Sequence, residues 1–178
     1  MNERMFKAIN QYAGSSKFLD SLMVLISKKA RFVYFLVVII LCLRHNDYKK
    51  MTVYTGVSVG VTYVISFLIK LFVFQPRPFV NHLVHLLPPV PSKKDSSFPS
   101  KHTTIAFAAA TSVFVYHRLA GSFLWLLSIL VGISRIWTGQ HYPSDILGSA
   151  IIGNVSAYVI KRIETIWNPL VSRIFRPL

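Results

Sequence analysis

The sequence predicts an all-helical bundle that crosses a membrane about six times, and three observations carry that reading. Of 178 residues, 53% are hydrophobic and 15% charged, whereas a soluble domain carries about a quarter charged residues. Several apolar stretches approach the roughly 20 residues that a helix needs to cross the hydrocarbon core. Those stretches are rich in Ala, Ser and Gly, which let membrane helices approach closely, so they are expected to pack on one another. The whole chain, residues 1–178, reads as a single membrane domain.

The elements follow in order. Residues 1–14 are mixed and charged, without the apolar stretch and cleavage site of a signal peptide. They read as an amphipathic segment lying on the membrane with Met5, Phe6, Ile9 and Tyr12 facing lipid. Residues 18–26 and 32–43 are apolar but short, and Lys28, Lys29 and Arg31 interrupt them. The expectation is two helices with a turn at residues 28–31, the basic stems snorkelling to headgroups; five spans with an interfacial first helix is the alternative. Residues 52–69 hold no charge and end at Lys70. Residues 73–99 hold six of the nine prolines and a polar run, so they form a surface loop. Spans at residues 103–116, 119–133 and 146–160 complete the bundle.

The formal charge of +14 suits nucleic acid, an anionic lipid surface or a phosphorylated substrate. Nucleic acid is set aside, because the cations lie scattered between apolar runs and no nucleic-acid module is visible. Cys42 is the single cysteine, which excludes an internal disulfide and a thiolate metal cluster and leaves it a packing role. Under the six-span arrangement, the N-terminus, the 44–50 loop, Arg118 and the C-terminal tail with Arg173 and Arg176 share 11 of the 20 Lys and Arg. The other face keeps Lys28, Lys29, Arg31, Lys93 and Lys94, besides four cations that cluster with histidines. The bias of 11 to 5 puts the 73–99 loop outside the cell.

Three span ends collect basic and imidazole groups on that one face: KLFVFQPRP (residues 70–78), PSKH (99–102) and SRIWTGQHYPSD (134–145). Ionisable groups at membrane depth are costly and usually face a polar cavity, so together these ends predict an anion site. Lys70, Arg77 or Arg135 alone would read as a headgroup contact at a helix end; spaced together with two histidines, they read as ligands for phosphate oxygens. Ser100 is placed to cap the helix starting near Lys101, which directs its free amides at the same oxygens.

These motifs resemble the type-2 phosphatidate phosphatase superfamily, a group of membrane lipid phosphatases with the signature K-x6-RP, PSGH and SR-x5-H-x3-D. Lys70, Arg77 and Pro78 match the first element; Pro99, Ser100 and His102 the second; Ser134, Arg135, His141 and Asp145 the third. Every spacing is kept, and the resemblance covers about residues 50–160. The strings FQPRPF, SFPSKHTT and SRIWTGQHYPSDILGS are most similar to the bacitracin-resistance type of undecaprenyl pyrophosphate phosphatase within it.

The resemblance implies a metal-free, cofactor-free hydrolase. His141 would be the nucleophile, passing through a phosphohistidine, and Asp145 would hold its other ring nitrogen. His102 would act as acid and then base. The implied partners are membrane lipids and a polyprenyl pyrophosphate substrate, and the implied location is the cell membrane. Lys101 departs from the signature glycine: its side chain either hinders phosphate approach or adds a cation for a second phosphate. No paired-carboxylate or HExxH metal pattern occurs.

His82 and His85 have no place in the signature and read as surface or lid residues. His45 and His117 read as headgroup neighbours on the opposite face, and Trp137 and Tyr142 as residues at the membrane interface. The rival activities are a broader phosphatase for phosphatidate, phosphatidylglycerophosphate or diacylglycerol pyrophosphate, and a non-catalytic lipid binder or transporter. A binder has little use for a positioned imidazole pair.

Overall fold

The computed structural model describes residues 2–44 and 47–163; the expectations for His45, Arg173 and Arg176 lie outside them. Seven helices and no strand occur among the described residues: α1 (Asn2–Asn10), α2 (Lys17–Arg44), α3 (Asp47–Phe72), α4 (Pro78–Asn81), α5 (Lys101–Tyr116), α6 (Arg118–Trp137) and α7 (Pro143–Arg162). α3 and α6 are long and apolar enough to cross a membrane on length and composition alone, and α2, α5 and α7 run beside them. α5 lies at the centre, packed against α3, α6 and α7.

The distribution of side chains is that of a bundle solvated by lipid. Large apolar groups point outward, among them Leu43, Phe72, Phe123 and Ile151, while the interior is lined with Ala106, Ala108, Ala110, Ser58, Thr62, Ser128 and Ser156. Small buried residues let the axes close up. Gly153 shows how far: a Cβ there would stand 2.4 Å from the Thr104 carbonyl oxygen, so α7 and α5 touch backbone to backbone.

Two expectations are corrected. Lys28, Lys29 and Arg31 do not break the first span, because α2 runs unbroken through all three. The described residues thus hold five long helices, α2, α3, α5, α6 and α7, and two short ones, α1 and α4. From Lys28 to Arg44 the helix rises about 25 Å, close to the roughly 30 Å of hydrocarbon, so a turn at residues 28–31 is not needed for this stretch to cross.

The second correction concerns α1, which turns its apolar face onto protein. Phe6 is buried edge-on against Tyr142, with ring centres 5.6 Å apart, and Ile9 joins the cluster of Phe6, Ile136 and Tyr142. Met5 and Tyr12 stay exposed. Asn10 donates to the carbonyls of His85 (2.9 Å) and Trp137 (2.8 Å) and accepts from the amide of His85 (3.0 Å), so α1 is pinned to the 73–99 loop. The N-terminus therefore shares the face of that loop, and the charge bias computed with it on the other face no longer holds. Trp137 and Tyr142 are buried in the same contact, covered by protein, with Trp137 donating to Asp20 at 2.9 Å.

Candidate active site

Each expected side chain is carried by a helix end or by the loop that continues it. Lys70 sits in the last turn of α3, before the proline-rich loop. Arg77 precedes Pro78, which opens the short α4 at its first turn; proline is tolerated there because that amide has no partner within the helix. The third element is built by the corner between α6 and α7. The Arg135 carbonyl accepts from the amides of Gln140 (3.1 Å) and His141 (3.3 Å), curling the chain back under α6. Gly139 makes the reversal with φ +77, and a Cβ there would meet the His85 carbonyl at 2.8 Å, so both backbone sign and space require glycine. Pro143 opens α7, and Asp145 in its first turn accepts from the Tyr142 amide at 2.8 Å. The favoured place for a carboxylate at a helix start thus also fixes its aim.

The three elements converge. Arg77 is 5% exposed. Its Nη1 donates to Nε2 of His141 at 3.3 Å and to the Gln140 carbonyl at 3.2 Å, and its Nε donates to the Asp95 carbonyl at 3.2 Å. Lys70 Nζ donates to the Ser96 carbonyl, the same oxygen that Arg77 Nη2 approaches at 3.5 Å. Arg135 is 5% exposed; Nη1 donates to Ser27 of α2 at 2.8 Å, and Nε has no hydrogen-bond partner among the described residues. His102, in the first turn of α5, shares one cavity with Arg135 and Gln140.

On the far side of the His141 ring, Nδ1 stands 3.7 Å from Asp145 Oδ2 and 3.4 Å from Ser97 Oγ, and the Ser97 hydroxyl donates to that same carboxylate oxygen. An arginine can only donate, so Nε2 must be its acceptor and the proton belongs on Nδ1. The proton-bearing nitrogen faces Ser97 and Asp145, and the lone pair faces the cations. Burial holds the His141 imidazole below the ordinary histidine range, with Asp145 opposing that shift and the charges of Arg135 and Arg77 adding to it. The ring is thereby kept neutral, the form in which nitrogen can attack.

Ser97 had no place in the sequence reading, although it stands inside the quoted string SFPSKH. Its role depends on a contact 48 positions along the chain, which no local spacing reveals. Ser27 was missed for the same reason. Ser100 occupies the N-cap of α5, as expected, but its side chain makes no capping bond. Its hydroxyl accepts from Thr103 at 3.1 Å, and its amide is taken by Ser149 at 2.8 Å, so the expected side-chain cap is corrected. Lys101 points its ammonium over the Tyr63 ring at 5.4 Å, toward α3.

The other described histidines lie elsewhere. His82 pairs with Glu3 at 3.4 Å, and His117 caps α6 by accepting from the Ala120 amide at 3.2 Å.

From the mouth at His102 a groove of about 540 Å³ runs down between α2, α3 and α5. Its upper rim carries Lys28, Arg31 and Lys101, and its walls carry Phe35, Val38, Val59 and Ile105. One end is basic, the rest apolar.

The sequence profile of the PAP2 superfamily matches residues 51–168. The chain belongs to the PAP2 superfamily. Among PAP2 relatives, undecaprenyl-diphosphatase BcrC of Bacillus subtilis is 38% identical over 177 residues, covering 99% of this chain and 91% of its own. The crystal structure of Aquifex aeolicus LpxE superposes with a TM-score of 0.75 at 27% identity, covering 90% of this chain and 94% of that one. A transmembrane PAP2 type phosphatidylglycerolphosphate phosphatase from Bacillus subtilis shares the fold, with a TM-score of 0.66 at 21% identity over 92% of this chain and 86% of that one. PAP2 membership and these neighbours agree with the all-helical membrane bundle.

Proposed function

We propose that this chain hydrolyses undecaprenyl pyrophosphate to undecaprenyl phosphate and inorganic phosphate at the surface of the cell membrane. The observation that carries the reading is the groove: an apolar channel between helices ends at a basic mouth beside two histidines. A lipid with a charged end and a long tail fits it, because the tail stays between helices while the phosphates reach Lys70, Arg77 and Arg135. The similarity to undecaprenyl-diphosphatase BcrC over nearly the whole chain supports the same substrate class.

In the proposed reaction Nε2 of His141 attacks the terminal phosphorus. A P–N bond forms as the bond from that phosphorus to the bridging oxygen breaks, and the lipid phosphate leaves with a proton from His102 where one is needed. Lys70, Arg77 and Arg135 neutralise the oxygens of the transferred group, and positioned cations in a partly desolvated site are worth more than in water. Through Ser97, Asp145 keeps the Nδ1 proton in place and offsets the charge that grows on the ring. Water then attacks the phosphohistidine with His102 as base, releasing phosphate and restoring neutral His141. The converging groups other than Asp145 are cationic or neutral, a donor set that repels a metal ion, so turnover is expected to persist in chelator.

We assign the site to the extracytoplasmic face of the cell membrane. Setting aside the cations of the site and its cavities (Lys28, Lys29, Arg31, Lys70, Arg77, Lys101 and Arg135), the site face keeps five (Arg4, Lys7, Lys17, Lys93 and Lys94). The far helix ends carry six among the described residues (Arg44, Lys49, Lys50, Arg118, Lys161 and Arg162), a small excess in the direction of the positive-inside rule.

The test is phosphate release by purified protein from undecaprenyl pyrophosphate, phosphatidate and phosphatidylglycerophosphate, with and without EDTA. The expected kcat/KM is higher for the pyrophosphate by about ten-fold or more and unchanged by EDTA. Preference for a glycerolipid monophosphate would replace this reading with that of a broader lipid phosphatase.

A further inference from the structure

α2 carries two cations whose depth nothing so far explains. Lys28 and Arg31 sit inside an unbroken helix, one turn apart and so on one face. Their register against the site is fixed by their neighbour Ser27, which is buried and takes the 2.8 Å bond from Arg135. Ionisable groups at this depth call for a polar partner, and among the described residues neither forms an ion pair with an acidic side chain.

Two cavities meet where these side chains stand. The outer one, of about 370 Å³, reaches Arg135 and Gln140 beside His141. The inner one is the apolar groove. Ser27, Lys28, Arg31 and His102 line both. His102, Lys28 and Arg31 therefore stand together where the polar cavity beside the His141 cluster meets the apolar walls.

A lipid pyrophosphate laid across that junction puts its terminal phosphorus at His141 and its bridging oxygen at His102. The phosphate that remains on the lipid then comes to the α2 cations. We infer that Lys28 and Arg31 bind this retained phosphate and make the site selective for a diphosphate over a monophosphate. The inference rests on the proposed lipid-pyrophosphate reading and deepens it. The bond that breaks leaves the retained phosphate with an added negative charge, at the entrance to an apolar groove where an unpaired anion is costly. Cations at that point stabilise the leaving group as it forms, and a monophosphate engaged at His141 has nothing to offer them.

The same residues could instead meet lipid headgroups, as basic side chains near helix ends do. Such contacts would not depend on which phosphate the substrate carries. The experiment uses the full chain in lipid nanodiscs, with farnesyl pyrophosphate as substrate and orthovanadate as a phosphate mimic that needs only the His141 subsite. It compares wild type, the Lys28→Met/Arg31→Met double variant, Arg31→Lys, and Lys17→Met as a charge control on the same helix outside both cavities. In the double variant kcat/KM for farnesyl pyrophosphate should fall about ten-fold to a hundred-fold, the range for losing charge-assisted bonds. The vanadate inhibition constant should stay within about two-fold of wild type, showing an intact reaction centre.

Arg31→Lys should recover most of the loss, and Lys17→Met should be silent. Unchanged pyrophosphate turnover in the double variant would overturn the inference, and so would an equal loss of vanadate binding. Failure of the underlying reading looks different: wild type itself would leave farnesyl pyrophosphate intact while dephosphorylating phosphatidate, with no variant needed to see it.

Discussion

Replacing His141 with alanine should abolish turnover, lowering kcat by at least about three orders of magnitude, while lipid binding is largely kept. Binding is kept because the groove between α2, α3 and α5 and the cations Lys70 and Arg135 do not depend on the imidazole. The ring sits wholly inside the protein at 2% exposure, and its loss leaves a polar hollow that water can fill, so the corner held by Gly139 and the Arg135 carbonyl should persist. Water in that hollow cannot replace the covalent step, because it is a far weaker nucleophile than a neutral imidazole and forms no phosphoryl-enzyme. The check is single-turnover phosphate release beside equilibrium binding of the same lipid. Retained turnover would remove His141 as the nucleophile.

Asp145→Asn is the second large effect, and its cause is the loss of one charge. In the native site the carboxylate Oδ2 takes bonds from Ser97 and from the Tyr142 amide and faces the Nδ1 proton of His141. An amide of the same shape keeps its oxygen toward these donors, because an NH2 there would oppose the Tyr142 amide. It carries no negative charge, so the variant no longer offsets the positive charge that grows on the ring as Nε2 attacks. The expected loss in kcat is about three to four orders of magnitude, as for the analogous change beside a catalytic histidine, with KM little changed because Asp145 touches no substrate. Equal losses in kcat and in lipid affinity would instead mean that the site has collapsed.

The motif spacings made the convergence of the candidate site readable in advance, and there is a physical reason. Lys70 with Arg77, Ser100 with His102, and Arg135 with His141 and Asp145 each lie within one helix end and its adjoining loop, where sequence separation fixes geometry. What failed were contacts across the fold. Ser97 reaches His141 and Asp145, and Ser27 reaches Arg135, only after separate helices have packed.

α2 misled for a different reason. Three cations between two apolar runs look like a turn at a membrane surface, but lysine and arginine are good helix formers and do not break a helix. Here all three line the polar cavity beside the site, which takes their charges. α1 was rightly read as amphipathic; its apolar stripe could face lipid or protein equally well, and only the bonds of Asn10 to His85 and Trp137 decide for protein.

The central claim is that a phosphoryl group rests on His141 between cleavage and release. The most direct measurement is a rapid alkaline quench of the full-length enzyme turning over undecaprenyl pyrophosphate labelled in its terminal phosphate, followed by mapping of the labelled peptide. His102→Gln, which slows attack by water, is run beside wild type. Label should appear on His141, persist in alkali as a phosphoramidate does, and build up further in His102→Gln. Continued phosphate release with no label on the protein, or with label on another residue, would contradict the account.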